Sequence, residues 1–139
     1  MSNIGATAPP AHATVDGEVV DYAPIIDVIA HRYFATGHPH GDVPEHLARR
    51  WHAHDTAYLL QWAIDDISGY GSLERELRWL ADVLHSRNFP LDGLAANLDL
   101  MADVINTNTG LPTELVTCLR DGSRAVREIA AELGAGPTS

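Results

Sequence analysis

The stretch Ser72–Ile105, SLERELRWLADVLHSRNFPLDGLAANLDLMADVI, constrains the fold more than any other part of the chain. Leu73, Leu77, Leu80 and Leu84 recur at i, i+4, i+7 and i+11, the spacing that lines one face of an α-helix. Trp79 and Val83 widen that stripe on one side, and Glu74, Arg75, Arg78 and Asp82 form the opposite, solvated arc. Ser72 is an N-cap by residue type and position. Pro90 closes the element, because the residue before a proline avoids helical geometry. Leu94, Leu98, Met101 and Ile105 then repeat the spacing in a second helix over about Asp92–Asn106. A helical hairpin with one apolar face must be covered by further helices.

The rest of the chain supplies them. A first helix is predicted over Asp21–Ala35, with Asp21 as N-cap, Pro24 in the first turn, and Ile25, Val28 and Ile29 on one face. Thr36–Gly41 reads as a loop. Asp42-Val-Pro-Glu45 reads as the start of a long helix, with Asp42 capping, Glu45 at N3 and an end near Ile67, before the Ser68–Gly71 break. A last helix runs from near Thr113 to Gly134, its natural C-cap. Its stripe is Leu115, Leu119, Gly122, Val126, Ile129 and Leu133, and Gly122 marks a close helix crossing. Residues 1–15 are expected to form a flexible leader, residues 16–134 a single domain, and residues 135–139 a flexible tail. With no strand-like alternation, the expected fold is all-α, an antiparallel helical bundle of four to five helices.

Composition narrows the partners. The net charge is −10 over 139 residues, and all nine basic residues are arginines. Nucleic-acid binding needs clustered positive charge, which Arg49-Arg50, Arg75/Arg78 and Arg120/Arg124/Arg127 do not provide, so no nucleic acid is expected. No long apolar run suggests a membrane segment. With a single cysteine, Cys118, the cytoplasm is the expected compartment.

The long helix from Asp42 to about Ile67 carries the unusual chemistry. At 100° per residue, Leu47, Trp51, His54, Tyr58, Gln61, Trp62 and Asp65 share one side, while Ala53, Ala57, Leu60 and Ile64 share the next. The first of these sides is aromatic and polar together. Three readings stay open for it. It is a small-molecule pocket, a set of core rings with interhelical hydrogen bonds, or a homodimer face, since aromatics are enriched at interface cores. Asn97, at the edge of the apolar arc of the fourth helix, is either a buried amide fixing helix register or a ligand contact. The candidate ligand-binding set is therefore Trp51, His54, Tyr58, Gln61, Trp62, Asp65, Trp79 and Asn97.

Eight histidines raise the question of metal. His38 and His40 sit in a Pro/Gly loop. His52 and His54 differ by about 200° on a helix, so they cannot chelate one ion, and His52 is expected to face solvent. No metal site is expected. A haem needs only one axial histidine; His54 is the candidate and His85 the second. Cys118 reads as an inert core thiol. No nucleophile elbow or phosphate-cradling loop is present, the adjacent Asp65 and Asp66 project about 100° apart, and the remaining catalytic option is His54 with Asp65 as acid–base groups.

One resemblance follows from these residues. Tyr58-Leu59-Leu60, then Leu73-x-x-x-Leu77-x-Trp79-x-x-x-Val83-Leu84, then Ser86-Arg87-Asn88-Phe89-Pro90, then Leu94-x-x-x-Leu98-x-x-Met101 resemble the helical module that precedes cobalamin (B12)-binding domains. Trp79 and the Ser-Arg-x-x-Pro break are its most specific parts, and the match spans somewhat over a third of the chain. In such modules a Rossmann-like domain follows, with an Asp-x-His-x-x-Gly motif whose histidine can ligate cobalt. This sequence contains no such motif. The resemblance implies a non-catalytic helical sensor, cap or regulatory domain that keeps a ligand site or binds a protein partner.

Overall fold

The computed structural model describes residues 8–35, 43–108 and 110–134. Five helices form the body: α1 (Tyr22–Ala35), α2 (Glu45–Ile67), α3 (Leu73–Ser86), α4 (Asp92–Asn108) and α5 (Thr113–Gly134). The expected all-α bundle is what the chain forms, with one addition. Ahead of α1 stands a β-hairpin, β1 (His12–Val15) and β2 (Glu18–Asp21), paired antiparallel with Val15 opposite Glu18.

The hairpin corrects the expectation of a leader extending to residue 15. Asp16 and Gly17 have φ of 52° and 82°, the pair of positive angles that a two-residue type I′ turn requires. Val15 is buried against the helical core. β2 runs into α1 without a linker, and the Tyr22 N–H donates to the Ala11 carbonyl at 3.0 Å. Asp21 is accordingly the last strand residue.

Helices α3 and α4 form as their leucines dictate, but they do not pair as the expected hairpin; each packs on α5 instead. Leu73, Leu77, Leu80 and Leu84 are all buried on α3, and Ser72 caps the helix by accepting from the Arg75 N–H. The α3 end is a Schellman turn: Asn88 takes φ of 61°, its N–H reaches the His85 carbonyl, and the Phe89 N–H reaches the Leu84 carbonyl at 2.9 Å. Leu98, Met101 and Ile105 on α4 face Leu115, Leu119 and Val126 on α5 in one core cluster. Full burial of each such aliphatic side chain contributes roughly 1.5–3 kcal/mol before chain entropy is set against it.

Helix α5 packs on α2, α3 and α4, and α1 closes the other side against α2 and α4. Gly122 marks the α3–α5 crossing, as its place in the stripe suggested: a Cβ there would lie 3.0 Å from both Leu73 Cδ2 and Leu77 Cδ1. Helix α2 begins one residue after Pro44, which occupies the N-cap position with no side-chain hydrogen bond. The expected cap, Asp42, lies outside the described residues, as do His38 and His40. Among the described residues, no helix is long and apolar enough to cross a membrane.

Candidate functional site

The α2 row exists as a strip at the boundary between core and solvent. Trp51, His54, Tyr58, Gln61, Trp62 and Asp65 are all half-buried. Their rings form a train: His54 to Tyr58 at 5.2 Å between centroids, Tyr58 to Trp62 at 6.2 Å, and Trp62 edge-on to Trp79 at 6.4 Å. Edge-to-face and tilted contacts at these separations are the favourable ones for aromatic pairs. Trp79 was expected to widen the buried stripe of α3. It is instead 51% exposed, well round the helix from the leucine face, and it meets α2 through Trp62. That contact joins two helices into one aromatic surface. Trp51 enters none of the ring contacts among the described residues.

The polar members of the row are anchored from beneath. Tyr22 of α1, 1% exposed, donates its hydroxyl to Gln61 Oε1 at 2.6 Å, and Gln61 Nε2 donates to Asp65 Oδ1 at 2.9 Å. Burial, with the Asp65 carboxylate as a second cause, pushes the Tyr22 phenol up to about 12. This relay fixes the rotamers of Gln61 and Asp65 beside Trp62 and leaves Tyr22 a donor. His54 Nδ1 lies 3.4 Å from Asp55 Oδ1. His54 and Asp65 are eleven residues apart on α2, about 16 Å along the axis, so they do not converge on one substrate atom as an acid–base pair.

Asn97 is not brought to this strip. It is buried beneath the other side of α2, where its Oδ1 accepts from His52 Nε2 at 2.9 Å and its Nδ2 donates to Thr56 Oγ1 at 3.1 Å. Of its two readings, the buried amide joining α4 to α2 is the one the structure supports. His52 is the larger correction. Expected in solvent, it is 2% exposed, with the Tyr33 ring 4.5 Å away and Phe34 edge-on at 5.4 Å. Thr56 is fully buried beside it. The reason is that α2 is covered on several sides, so its buried arc runs through Ala48, His52, Thr56, Leu59 and Ala63, a stripe in which two of five members are polar.

Among the described residues, no group of three or more histidine, cysteine or carboxylate side chains is arranged to hold a metal ion. For haem, His54 is half-buried with Tyr58 against its ring, and His85 is exposed on α3, so the two do not face one another across a cavity. A groove of about 720 Å³ does lie between the start of α3 and α5, but none of the eight expected ligand-binding residues lines it. With its rings half-buried and the Trp79 indole 51% exposed, the strip presents a flat aromatic face. No protein-family model, curated protein sequence or solved structure matches this chain.

Proposed function

We propose that the chain is a non-catalytic helical binding domain, of the sensor or regulatory kind, that takes a flat ligand on the strip from His54 to Trp79. The observation that carries the reading is the Trp62–Trp79 contact, which presents a half-exposed indole beside a polar pair, Gln61 and Asp65, held in place by Tyr22. Aromatic faces bind planar apolar surface, and fixed polar groups at the edge orient it. The resemblance of the sequence from Tyr58 to Met101 to the module preceding cobalamin-binding domains makes a corrinoid the first ligand to test, and haem the second. In this reading the protein works in the cytoplasm, alone or as the partner of a separate corrinoid-binding chain.

Titration with cobalamins and with haem, followed by tryptophan fluorescence and visible absorbance, tests it. Saturable quenching that weakens in Trp79→Ala and Trp62→Phe supports the assignment. No perturbation by either macrocycle sinks the small-molecule version. A second reading, self-association through the same strip, draws on the exposure of Trp79 and Tyr70. It predicts a dimeric mass by light scattering that Trp79→Ala converts to monomer.

A further inference from the structure

The ring train of the strip runs beside one fixed carboxylate. Asp65 follows Trp62 by three residues on α2, a spacing that brings side chains to about 5–6 Å of one another at Cβ. It is half-buried, and Gln61 Nε2 donates to its Oδ1 at 2.9 Å. An amide fixes a carboxylate in place but does not neutralise it. Among the described residues, no arginine or histidine comes within ion-pair distance of Asp65. The charge is felt by its neighbours: after burial, Asp65 is the second cause that pushes the Tyr22 phenol up to about 12.

The indole faces are left bare by the chain's own cations. An indole face attracts a cation through its quadrupole, more strongly than a phenol or phenyl ring does. Arg75, one turn before Trp79 on α3, lies 4.0 Å from Glu76, and Arg78 is turned to Glu74 and Glu132 at 4.0 and 3.8 Å. Among the described residues the arginine found over a ring is Arg49, 4.6 Å from the Phe34 centroid near the start of α2. Trp62 and Trp79 meet with 79° between their planes, so a group laid on one indole lies beside the other.

Charge and shape together select the occupant. An anion is repelled by Asp65, by the π faces and by a chain of net charge −10. A neutral planar ligand gains ring contact alone. A compact ammonium gains the charge terms but little stacking area. A planar cation gains stacking, cation–π attraction and the Asp65 charge at once.

We propose that the flat ligand of the strip is a cationic heteroaromatic compound, held on the Trp62 and Trp79 faces with Asp65 as its counter-charge; this rests on the strip being the binding site. Haem, whose propionates are anionic, ranks behind such a ligand.

The test is titration of the whole chain with N-methylacridinium and, separately, with acridine, the uncharged parent ring, in mildly alkaline buffer. Salt at about 0.15 M screens exposed charges more than about 8 Å apart. Calorimetry and tryptophan quenching give both dissociation constants. The cation is expected to bind at least about fivefold more tightly than the neutral ring. Asp65→Asn keeps an acceptor for Gln61 and should cut that ratio at least about twofold. Asp27→Asn, exposed on α1 and changing the net charge equally, should leave the ratio unchanged. Each ratio is taken within one protein, so a variant's folded fraction cancels. Equal affinity for the two probes overturns the proposal and leaves the strip a ligand site. A ratio cut as deeply by Asp27→Asn as by Asp65→Asn overturns it in favour of the diffuse field of an acidic protein. Absence of saturable binding by either probe overturns it together with the strip as a small-molecule site.

Discussion

Replacing Gly122 by alanine sets two effects of opposite sign against each other. Alanine is better than glycine in a helix interior by about 1 kcal/mol. Against this, a Cβ at position 122 lies 3.0 Å from Leu73 Cδ2 and 3.0 Å from Leu77 Cδ1, whereas carbon pairs rest at about 3.5–4.0 Å. Leu73 is 1% exposed and Leu77 is 0% exposed, so neither methyl can swing into solvent, and the relief must come from moving α3 against α5. Overpacking of this kind costs roughly 1–3 kcal/mol. The clash exceeds the propensity gain, and Gly122→Ala is expected to lose about 1 kcal/mol net. For a chain of this size that lowers Tm by about 4 °C. Gly122→Leu adds three further carbons at the same point and should lose more than about 3 kcal/mol. Urea unfolding followed by far-UV circular dichroism measures both, with an unchanged m-value confirming that the native state is still compact. An alanine variant as stable as the parent would refute the reasoning, because α3 and α5 would then be free to separate by several tenths of an ångström at no cost.

Further outcomes follow from the polar interior and from the raised Cys118 and Tyr22 acids. Asn97→Leu removes the acceptor of His52 Nε2 and the donor to Thr56, and is expected to cost about 1–3 kcal/mol in urea unfolding. The pair Asn97→Leu with His52→Phe should cost less than the sum of the single changes by at least about 0.5 kcal/mol, and strict additivity would mean that the bond is not made. At alkaline pH, Cys118 and Tyr22 stay protonated in the folded chain to about 12, while unfolded they ionise from 9.0 and 10.0. Their contribution is therefore complete below pH 9 and is lost as pH rises towards 12, so the urea midpoint should fall through that window. Native Cys118 should also react with iodoacetamide about tenfold more slowly near pH 9 than it does in denaturant; equal rates would contradict a suppressed thiolate.

The parts of the fold that were legible in the sequence are those whose burial is one-sided. α3 and α5 each bury a single stripe of leucines and small residues, so periodicity alone locates them, and the Gly122 crossing shows as a gap in that stripe. α2 is different. Ala48, His52, Thr56, Leu59 and Ala63 share a buried arc with Leu60 and Ile64 nearby, so burial surrounds much of the helix and hydropathy carries little phase information. The row from Trp51 to Asp65 was read as one surface because it is aromatic, and its half-burial fits that reading. His52 departs from expectation because the side of α2 away from the aromatic row, which its angle assigns to solvent, is covered by Tyr33, Phe34 and Asn97. The β-hairpin was missed because its strands are four residues long, too short for alternation to register. The signal is Asp16-Gly17, a turn dipeptide with Thr14-Val15 before it and Val19-Val20 just beyond Glu18. Trp79 shows the limit of a stripe drawn on one helix. Its partner, Trp62, lies on another, and no spacing rule within α3 reveals it.

The buried triad of His52, Thr56 and Asn97 has a consequence for which bundle forms at all. Leucine faces mate nearly as well after one helix slides along its neighbour by a turn, about 5.4 Å, because each leucine finds another leucine. The triad does not slide. Moved by one turn, His52 would lose Asn97 and Asn97 would lose Thr56, leaving polar atoms in an apolar interior at about 1–3 kcal/mol each. That penalty is comparable to a large share of a small domain's net stability. The three residues thus act as a tooth and notch between α2 and α4: they add little to how tightly the bundle holds, but they make its mis-threaded relatives too costly to compete.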